Sequence, residues 1–235
     1  MTSLYSDGRR WEPLGGPFGV WVNSRFRFGT DALLLARFAL DCAPRARRMA
    51  DLGTGCGIIP LIWAQERPEA RIVGIEYQNE GAELAVESAL QSGVNDRVAI
   101  CCGDLRQWTV PAAERFDVVA CNPPYFAPQS GAPAVPPARR LARGEETCTI
   151  ADAAAAAARL LTGTGWFCIV HRTERLCDVL AAMRAAGLEP KRLQLVQADR
   201  AHAPKLFLAA GRRGGRPGMT VLPVRLLRTD PVTYA

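Results

Sequence analysis

The sequence predicts a doubly wound α/β fold, a mostly parallel sheet with helices on both faces. Short apolar strands alternate with amphipathic helical runs along most of the 235 residues. A glycine-rich turn, Asp51-Leu52-Gly53-Thr54-Gly55-Cys56-Gly57, joins one such strand to a helix. The next strands end on Glu76, Gly103-Asp104 and Asn122, placing polar groups where open α/β sheets bind ligands. With 49% apolar residues the chain has ample material for a packed core, which excludes disorder as its dominant state.

Taken in order, a first helix fits Asp31 to Leu40, with Thr30 as its N-cap. Strand Arg48 to Leu52 leads into the glycine turn and a helix from Ile58 to Glu66; Pro60 falls in its first turn and Pro68 closes it. Strand Arg71 to Ile75 follows. Apolar Ala82, Ala85, Val86, Ala89 and Leu90 form a helical stripe over Glu80 to Ser92, with Gly93 just past its end. Strands Arg97 to Cys102 and Phe116 to Cys121 come next. Residues 127–146 hold Pro128, Pro133, Pro136 and Pro137 without any hydrophobic period, and read as a long mobile loop. Helix Ile150 to Leu161, whose alanine run suits close packing on the sheet, precedes strand Trp166 to Val170. Helix Glu174 to Ala186 and strands near 190–197 and 204–210 complete the pattern. Residues 212–218 read as an exposed turn.

The net charge of +6 conceals a division. Residues 1–50 carry 8 basic and 4 acidic side chains, residues 51–130 carry 5 and 11, and residues 131–235 carry 16 and 8. The middle is acidic and both flanks are basic, a pattern suited to a polyanionic partner. All but two of the 29 basic residues are arginine. Apolar runs such as Ile58 to Ala64 are far short of the ~20 residues a membrane span needs, and residues 1–16 hold no apolar signal region. A cytoplasmic protein is expected. The eight cysteines form no C-x-x-C pair and the two histidines stand far apart, so no metal site is expected, and most cysteines read as small buried hydrophobes.

The glycine turn lets the backbone approach a ligand at the positive end of a helix. A dinucleotide fingerprint needs a glycine at position 58, where Ile58 stands, so NAD fits poorly. About 20 residues on, Glu76 is placed to accept ribose hydroxyls, and Asp104 to accept an adenine amine. Each also has a plain alternative: a tight turn, a solvated strand end, a helix cap. Together these residues resemble the class I S-adenosylmethionine-dependent methyltransferases. The resemblance covers about residues 25–210 and implies a single Rossmann-like domain with a seven-stranded sheet whose last strand is antiparallel. Within it, 1–45 would be an N-terminal cofactor and substrate segment, 46–211 the core, and 212–235 a C-terminal hairpin and tail. It further implies that Asp51, Gly53, Gly55 and Gly57 surround the methionine part of S-adenosyl-L-methionine, with Glu76 on the ribose and Asp104 on the adenine.

Asn122-Pro123-Pro124-Tyr125 carries the chemistry. An exocyclic amine on a heteroaromatic ring is a poor nucleophile because its lone pair is delocalised. The Asn122 side-chain carbonyl and the Pro123 backbone carbonyl can each accept one amine N–H, turning the lone pair toward a methyl donor, while prolines hold the acceptors rigid. Tyr125 and Phe126 can stack on the target ring. Cys121 precedes the motif at a strand end and reads as core, not as a nucleophile.

This motif is similar to that of amino-methyltransferases acting on adenine in nucleic acids and on glutamine in release factors. The compact layout and the segment Phe28-Gly29-Thr30-Asp31-Ala32-Leu33-Leu34-Leu35 look like the tRNA(Val) adenine-N6-methyltransferase family. That resemblance places Thr30 and Asp31 near the cofactor's methionine end and implies a tRNA adenine beside the anticodon as substrate. Arg139, Arg140 and Arg143, in the loop after the motif, are expected to hold substrate phosphates, with Arg45, Arg47, Arg48, Arg212, Arg213 and Arg216 extending that surface. Methylation of protein glutamine or of an rRNA base amine, and a non-catalytic nucleotide-binding or NAD-binding module, are the competing readings.

Overall fold

A computed structural model of the chain describes residues 8–123 and 148–230. The chain opens with an antiparallel hairpin, β1 (Arg10–Gly15) and β2 (Phe18–Val22). Then follow α1 (Thr30–Cys42), β3 (Arg48–Leu52), α2 (Ile58–Glu66), β4 (Arg71–Glu76), α3 (Asn79–Gln91), β5 (Val98–Cys102) and β6 (Phe116–Cys121). The remainder comprises α4 (Ile150–Leu160), β7 (Leu161–Arg172), α5 (Leu176–Ala185), β8 (Leu188–Gln197), β9 (Leu206–Arg213), β10 (Thr220–Val221) and β11 (Arg225–Leu226).

The sheet runs β10-β8-β9-β7-β6-β3-β4-β5, with β11 also on β8. Every pairing in it is parallel except the two made by β9. Seven long strands and an antiparallel last one match the expectation. Two additions correct it: the two-residue strands β10 and β11 lengthen the sheet to nine strands among the described residues. The exposed turn after Arg213 is therefore no hairpin, because the chain beyond it pairs with β8 in parallel rather than folding back on β9.

Alternation along the strands separates two apolar layers. Met49, Val118, Ala120, Cys168 and Leu208 face one layer together with residues of α1, α2 and α3. Ala50, Val119, Cys121, Ile169 and Ala209 face the other, with α4 and α5. In this second layer Ala153, Ala154, Ala156 and Ala157 of α4 are all wholly buried. Its start is held by a reciprocal cap: Thr149 Oγ1 accepts the N–H of Asp152, and the Asp152 carboxylate accepts that of Thr149.

The N-terminal hairpin was not visible in the sequence. It docks on α3 through polar contacts, the Trp21 N–H on Ser88 Oγ (2.8 Å), the Gly19 N–H on Ser92 Oγ (3.2 Å) and Trp21 Nε1 on Gln91 Oε1 (3.0 Å). Both serines are buried where the helical stripe reads as polar. Thr30 is a further correction. Gly29, with extended backbone, takes the N-cap position, so Thr30 is the first helical residue and no side chain caps the helix.

Among the described residues no helix is long and apolar enough to cross a membrane. All eight cysteines are free; Cys42, Cys56, Cys121 and Cys168 are buried as expected, whereas Cys102 and Cys177 are exposed.

Candidate active site

The register of the central strands assembles the site. Leu52 pairs with Ile75 on one side and Cys121 on the other. Gly53, Glu76 and Asn122 therefore stand at one level on adjacent strands, spaced by roughly 4.8 Å per strand. One strand further out, Glu76 pairs with Cys102, bringing Gly103 and Asp104 to the same edge.

The turn after β3 is tied to β4 by its backbone. The N–H groups of Gly53 and Thr54 both donate to the Ile75 carbonyl, at 2.8 and 3.0 Å. Gly53 and Gly55 have φ of +72° and +55°, and a Cβ added at either would meet no atom within 4 Å. Glycine there satisfies a left-handed backbone and leaves open space over the turn. Gly57 serves packing instead: a Cβ would lie 2.9 Å from the Ala85 Cβ, so only glycine lets α2 begin this close to α3.

Two carboxylates converge beneath this turn. Glu76 is buried, and its oxygens accept the N–H of Gly55 (2.8 Å) and of Gln78 (2.9 Å). Asp51, 1% exposed, has no hydrogen-bond partner on either oxygen among the described residues, and neither does the Thr54 hydroxyl. Burial pushes the Asp51 carboxyl up to about 7; the Thr54 hydroxyl, close by but outside hydrogen-bond geometry, opposes that shift and the Glu76 charge adds to it. Buried acceptors without donors are costly to a fold and mark where a ligand supplies them.

Asn122 is half-buried directly after β6, and Pro123 beside it is buried. Cys121 is 2% exposed, and burial holds its thiol well above the ordinary range, which fits the core reading. Asp104 takes a more local role than expected. Its carboxylate meets Arg106 Nε at 3.0 and 2.9 Å and Nη2 at 2.6 Å, and accepts the Arg106 N–H at 2.9 Å. These contacts hold its carboxyl below its usual range. Thr30 is exposed and Asp31 half-buried, its carboxylate 3.0 Å from the N–H of Ala32. Pro124, Tyr125, Phe126, Arg139, Arg140 and Arg143 lie outside the described residues.

Several residues escaped the sequence reading. Thr54 fills the space beside Gly74, where a Cβ would come within 3.0 Å of its side chain. Phe26 and Glu76 close on Gly81, where a Cβ would meet the Phe26 ring at 2.6 Å and Glu76 Cγ at 3.1 Å. Asn23 and Arg25 reach Glu80 at 2.8 Å each, so the strap 23–26 lies against the start of α3 beside the site. A glycine five residues after Glu76 was the one available signal.

The arginines expected to extend the substrate surface do not reach this edge. Arg48 opens β3, and Arg212 and Arg213 end the antiparallel β9, so all three stand at the amino-terminal edge of the parallel strands, opposite the glycine turn. Arg48 stands there because it precedes its strand, and Arg212 and Arg213 because β9 runs antiparallel.

Residues 15–184 match the sequence model of the methyltransferase small domain. The chain belongs to the methyltransferase small domain family. Among similar curated proteins of known name is a tRNA1(Val) (adenine(37)-N6)-methyltransferase of Porphyromonas gingivalis, 33% identical over 191 residues, which cover 79% of this chain and 74% of that protein. One of the same name from Escherichia coli is 32% identical over 145 residues, 61% of this methyltransferase and 58% of the relative. Among solved structures, a predicted O-methyltransferase of Agrobacterium tumefaciens superposes with a TM-score of 0.64 at 21% identity, over 84% of this chain and 87% of that one. A geranyl diphosphate C-methyltransferase of Streptomyces coelicolor gives 0.55 at 12% identity, over 76% and 74%. At these identities the structural likeness concerns the fold.

Proposed function

We propose that this methyltransferase uses S-adenosyl-L-methionine to methylate the exocyclic N6 amine of an adenine in tRNA. The observation that carries the reading is the buried, unpartnered Asp51 carboxylate beside Glu76, under an open glycine turn and one strand from Asn122. Such a pocket favours a ligand that is cationic and rich in N–H and O–H donors, and S-adenosyl-L-methionine fits through its ammonium, sulfonium and ribose. When bound, the cofactor supplies a methyl group on a positively charged sulfur.

The chain's own residues divide the rest of the work. Asp51 and Thr54 accept and orient the ammonium end, Gly53 and Gly55 leave room for it, and Glu76 accepts from the ribose while its two backbone contacts keep it fixed. Thr30 and Asp31 contribute from the start of α1, and Asp104 from the third strand end. The Asn122 side-chain carbonyl and the Pro123 carbonyl take the two amine hydrogens, directing the nitrogen lone pair at the methyl. Pro124 stiffens the turn, and Tyr125 and Phe126 stack on the base. Arg139, Arg140 and Arg143 take the neighbouring phosphates. No general base is needed beforehand, because the amine becomes acidic only once it carries the methyl.

The substrate class rests on the names of the relatives together with Asn122-Pro123-Pro124-Tyr125. The test is a single-turnover assay with labelled cofactor on a tRNA(Val) transcript and on one carrying guanine in place of the adenine beside the anticodon. Label in N6-methyladenosine from the first transcript alone is the expected result. Equal label in both, or label in a release-factor glutamine, refutes it.

A further inference from the structure

We propose that the amino-terminal rim of the sheet is a second phosphate-binding surface, which holds the RNA backbone on the side of the molecule away from the glycine turn. This rests on the reading of the chain as an RNA methyltransferase.

The rim is built by register. The Arg71 N–H donates to the Arg47 carbonyl and the Ile72 N–H to the Arg97 carbonyl, both at 2.8 Å. Arg47, Arg71 and Arg97 thus stand side by side at the entries to three neighbouring strands, at a spacing of roughly 4.8 Å. Asp117 Oδ2 accepts the N–H groups of Arg47 (2.8 Å) and Arg48 (3.0 Å), which ties in the entry to β6 and with it Arg115. On the other flank, antiparallel β9 delivers its last residues to the same edge: Arg212 pairs with Trp166 and Arg213 with Leu188. The guanidinium groups of Arg192 and Arg212 lie 5.5 and 5.6 Å from the Trp166 ring centre, so the row includes a π face flanked by cations.

None of Arg47, Arg71, Arg97, Arg115, Arg212 and Arg213 has a carboxylate partner among the described residues. Arginines near the carboxyl edge do: Arg25 pairs with Glu80 at 2.8 Å and Arg106 with Asp104 at 2.6 Å. The rim also carries carboxylates: Asp117 is engaged by backbone, Glu114 lies 3.9 Å from Arg48, Glu189, opposite Arg212 in register, pairs with Arg184 at 2.8 Å, and Glu69 and Asp96 are exposed. Arg212 Nε and Arg213 Nη1 donate to the Thr164 and Leu161 carbonyls, at 3.3 and 2.6 Å, which leaves their charge uncompensated. A row of guanidinium groups without carboxylate partners matches a polynucleotide backbone, whose charges repeat regularly and whose counterions are released on contact. Strands of five or six residues put the two edges roughly 16–20 Å apart, a span that a folded RNA covers.

The test is fluorescence anisotropy of a labelled tRNA(Val) transcript with the full chain, from about 50 to about 200 mM salt. Arg71→Glu and Arg212→Glu are each expected to weaken binding about five-fold or more and to lower the salt slope by roughly 0.7–0.9. Arg71→Gln and Arg212→Gln, milder for folding, are expected to do so to a smaller degree. Cofactor affinity by calorimetry should stay at the wild-type value in all four. Wild-type affinity and slope in the variants overturn the proposal, as does tighter binding to phosphatidylglycerol vesicles than to the transcript. If the wild-type chain binds the transcript and the variants bind it more weakly, but no methyl is transferred, the function reading fails and the rim stands. If transfer occurs while the variants bind normally, the rim fails alone.

Discussion

Glu76 Oε2 accepts the backbone N–H of Gly55 at 2.8 Å, so the acid at the end of β4 fixes the glycine turn at the end of β3. The second Glu76 oxygen, on the N–H of Gln78, fixes the start of α3 as well. One side chain thereby sets the relative position of two loops that a bound cofactor must bridge. Asp51, one layer below, has no such duty: its oxygens are unengaged among the described residues. The two neighbouring acids divide into one that organises the site and one that waits for a ligand.

Asp51→Asn is expected to separate stability from binding. Its pKa, raised from 3.8 to about 7, means that the folded protein keeps a proton which the unfolded chain loses across that window. Stability of the ligand-free protein therefore falls as pH rises from about 4 to about 7, and the loss is complete above it. Asparagine abolishes this fall, so the variant should melt at or above the wild-type temperature near pH 8 and show a flatter pH profile. A cationic cofactor needs the ionised acid, so wild-type affinity should rise through about pH 7, while the variant binds roughly ten-fold or more weakly with no such rise. Thermal melts and calorimetry at about pH 6 and about pH 8 check both halves.

Gly55→Ala and Gly57→Ala should fail differently. At Gly55 a methyl meets no protein atom, so the cost to folding is the left-handed backbone alone, about 1–2 kcal/mol, while the methyl intrudes on ligand space and cofactor affinity drops. At Gly57 the same backbone cost is joined by a 2.9 Å contact with Ala85, and the helix start must move. The Gly57 variant is expected to lose more stability, read by denaturant melts. Equal losses in the two would remove the packing role of Gly57.

Asn122→Ala should leave cofactor affinity within a few-fold and slow methyl transfer by roughly 10²-fold or more, the scale for losing one group that stabilises a transition state. Rapid-quench turnover with saturating cofactor measures it. A wild-type rate constant would take Asn122 out of the chemistry.

Asp104 and Arg106 form a pair that can be cut from either side. Asp104→Ala removes the acceptor of the Arg106 N–H and loosens the turn after β5, and cofactor affinity is expected to fall several-fold. Arg106→Ala leaves that backbone contact in place and frees the carboxylate, so affinity should hold or improve. If both variants bind like wild type, Asp104 only shapes a turn.

Most of this site was legible because strand ends announce themselves. Asp51, Glu76, Asp104 and Asn122 each close an apolar run, and parallel register then brings them to one edge without further instruction. Helix bounds were read within one residue where Pro60, Pro68 and Gly93 punctuate them. What stayed hidden depends on contacts between distant segments. Ser88 and Ser92 read as solvent-facing until the hairpin covers them, and Phe26 gains its place only through Gly81. Arg212 and Arg213 were grouped with the substrate surface by charge alone, although an antiparallel last strand carries its final residues to the opposite edge.

The four wholly buried alanines of α4 also shape how that helix is held. An alanine loses essentially no side-chain entropy on burial, against about 0.5–1 kcal/mol for a leucine or isoleucine. The helix docks with little rotamer ordering, and its attachment comes from nearness of backbone to sheet rather than from side-chain bulk. Such a contact has no slack. Any larger residue at Ala153, Ala154, Ala156 or Ala157 must push the helix away from what it packs on, so this face has little room for substitution.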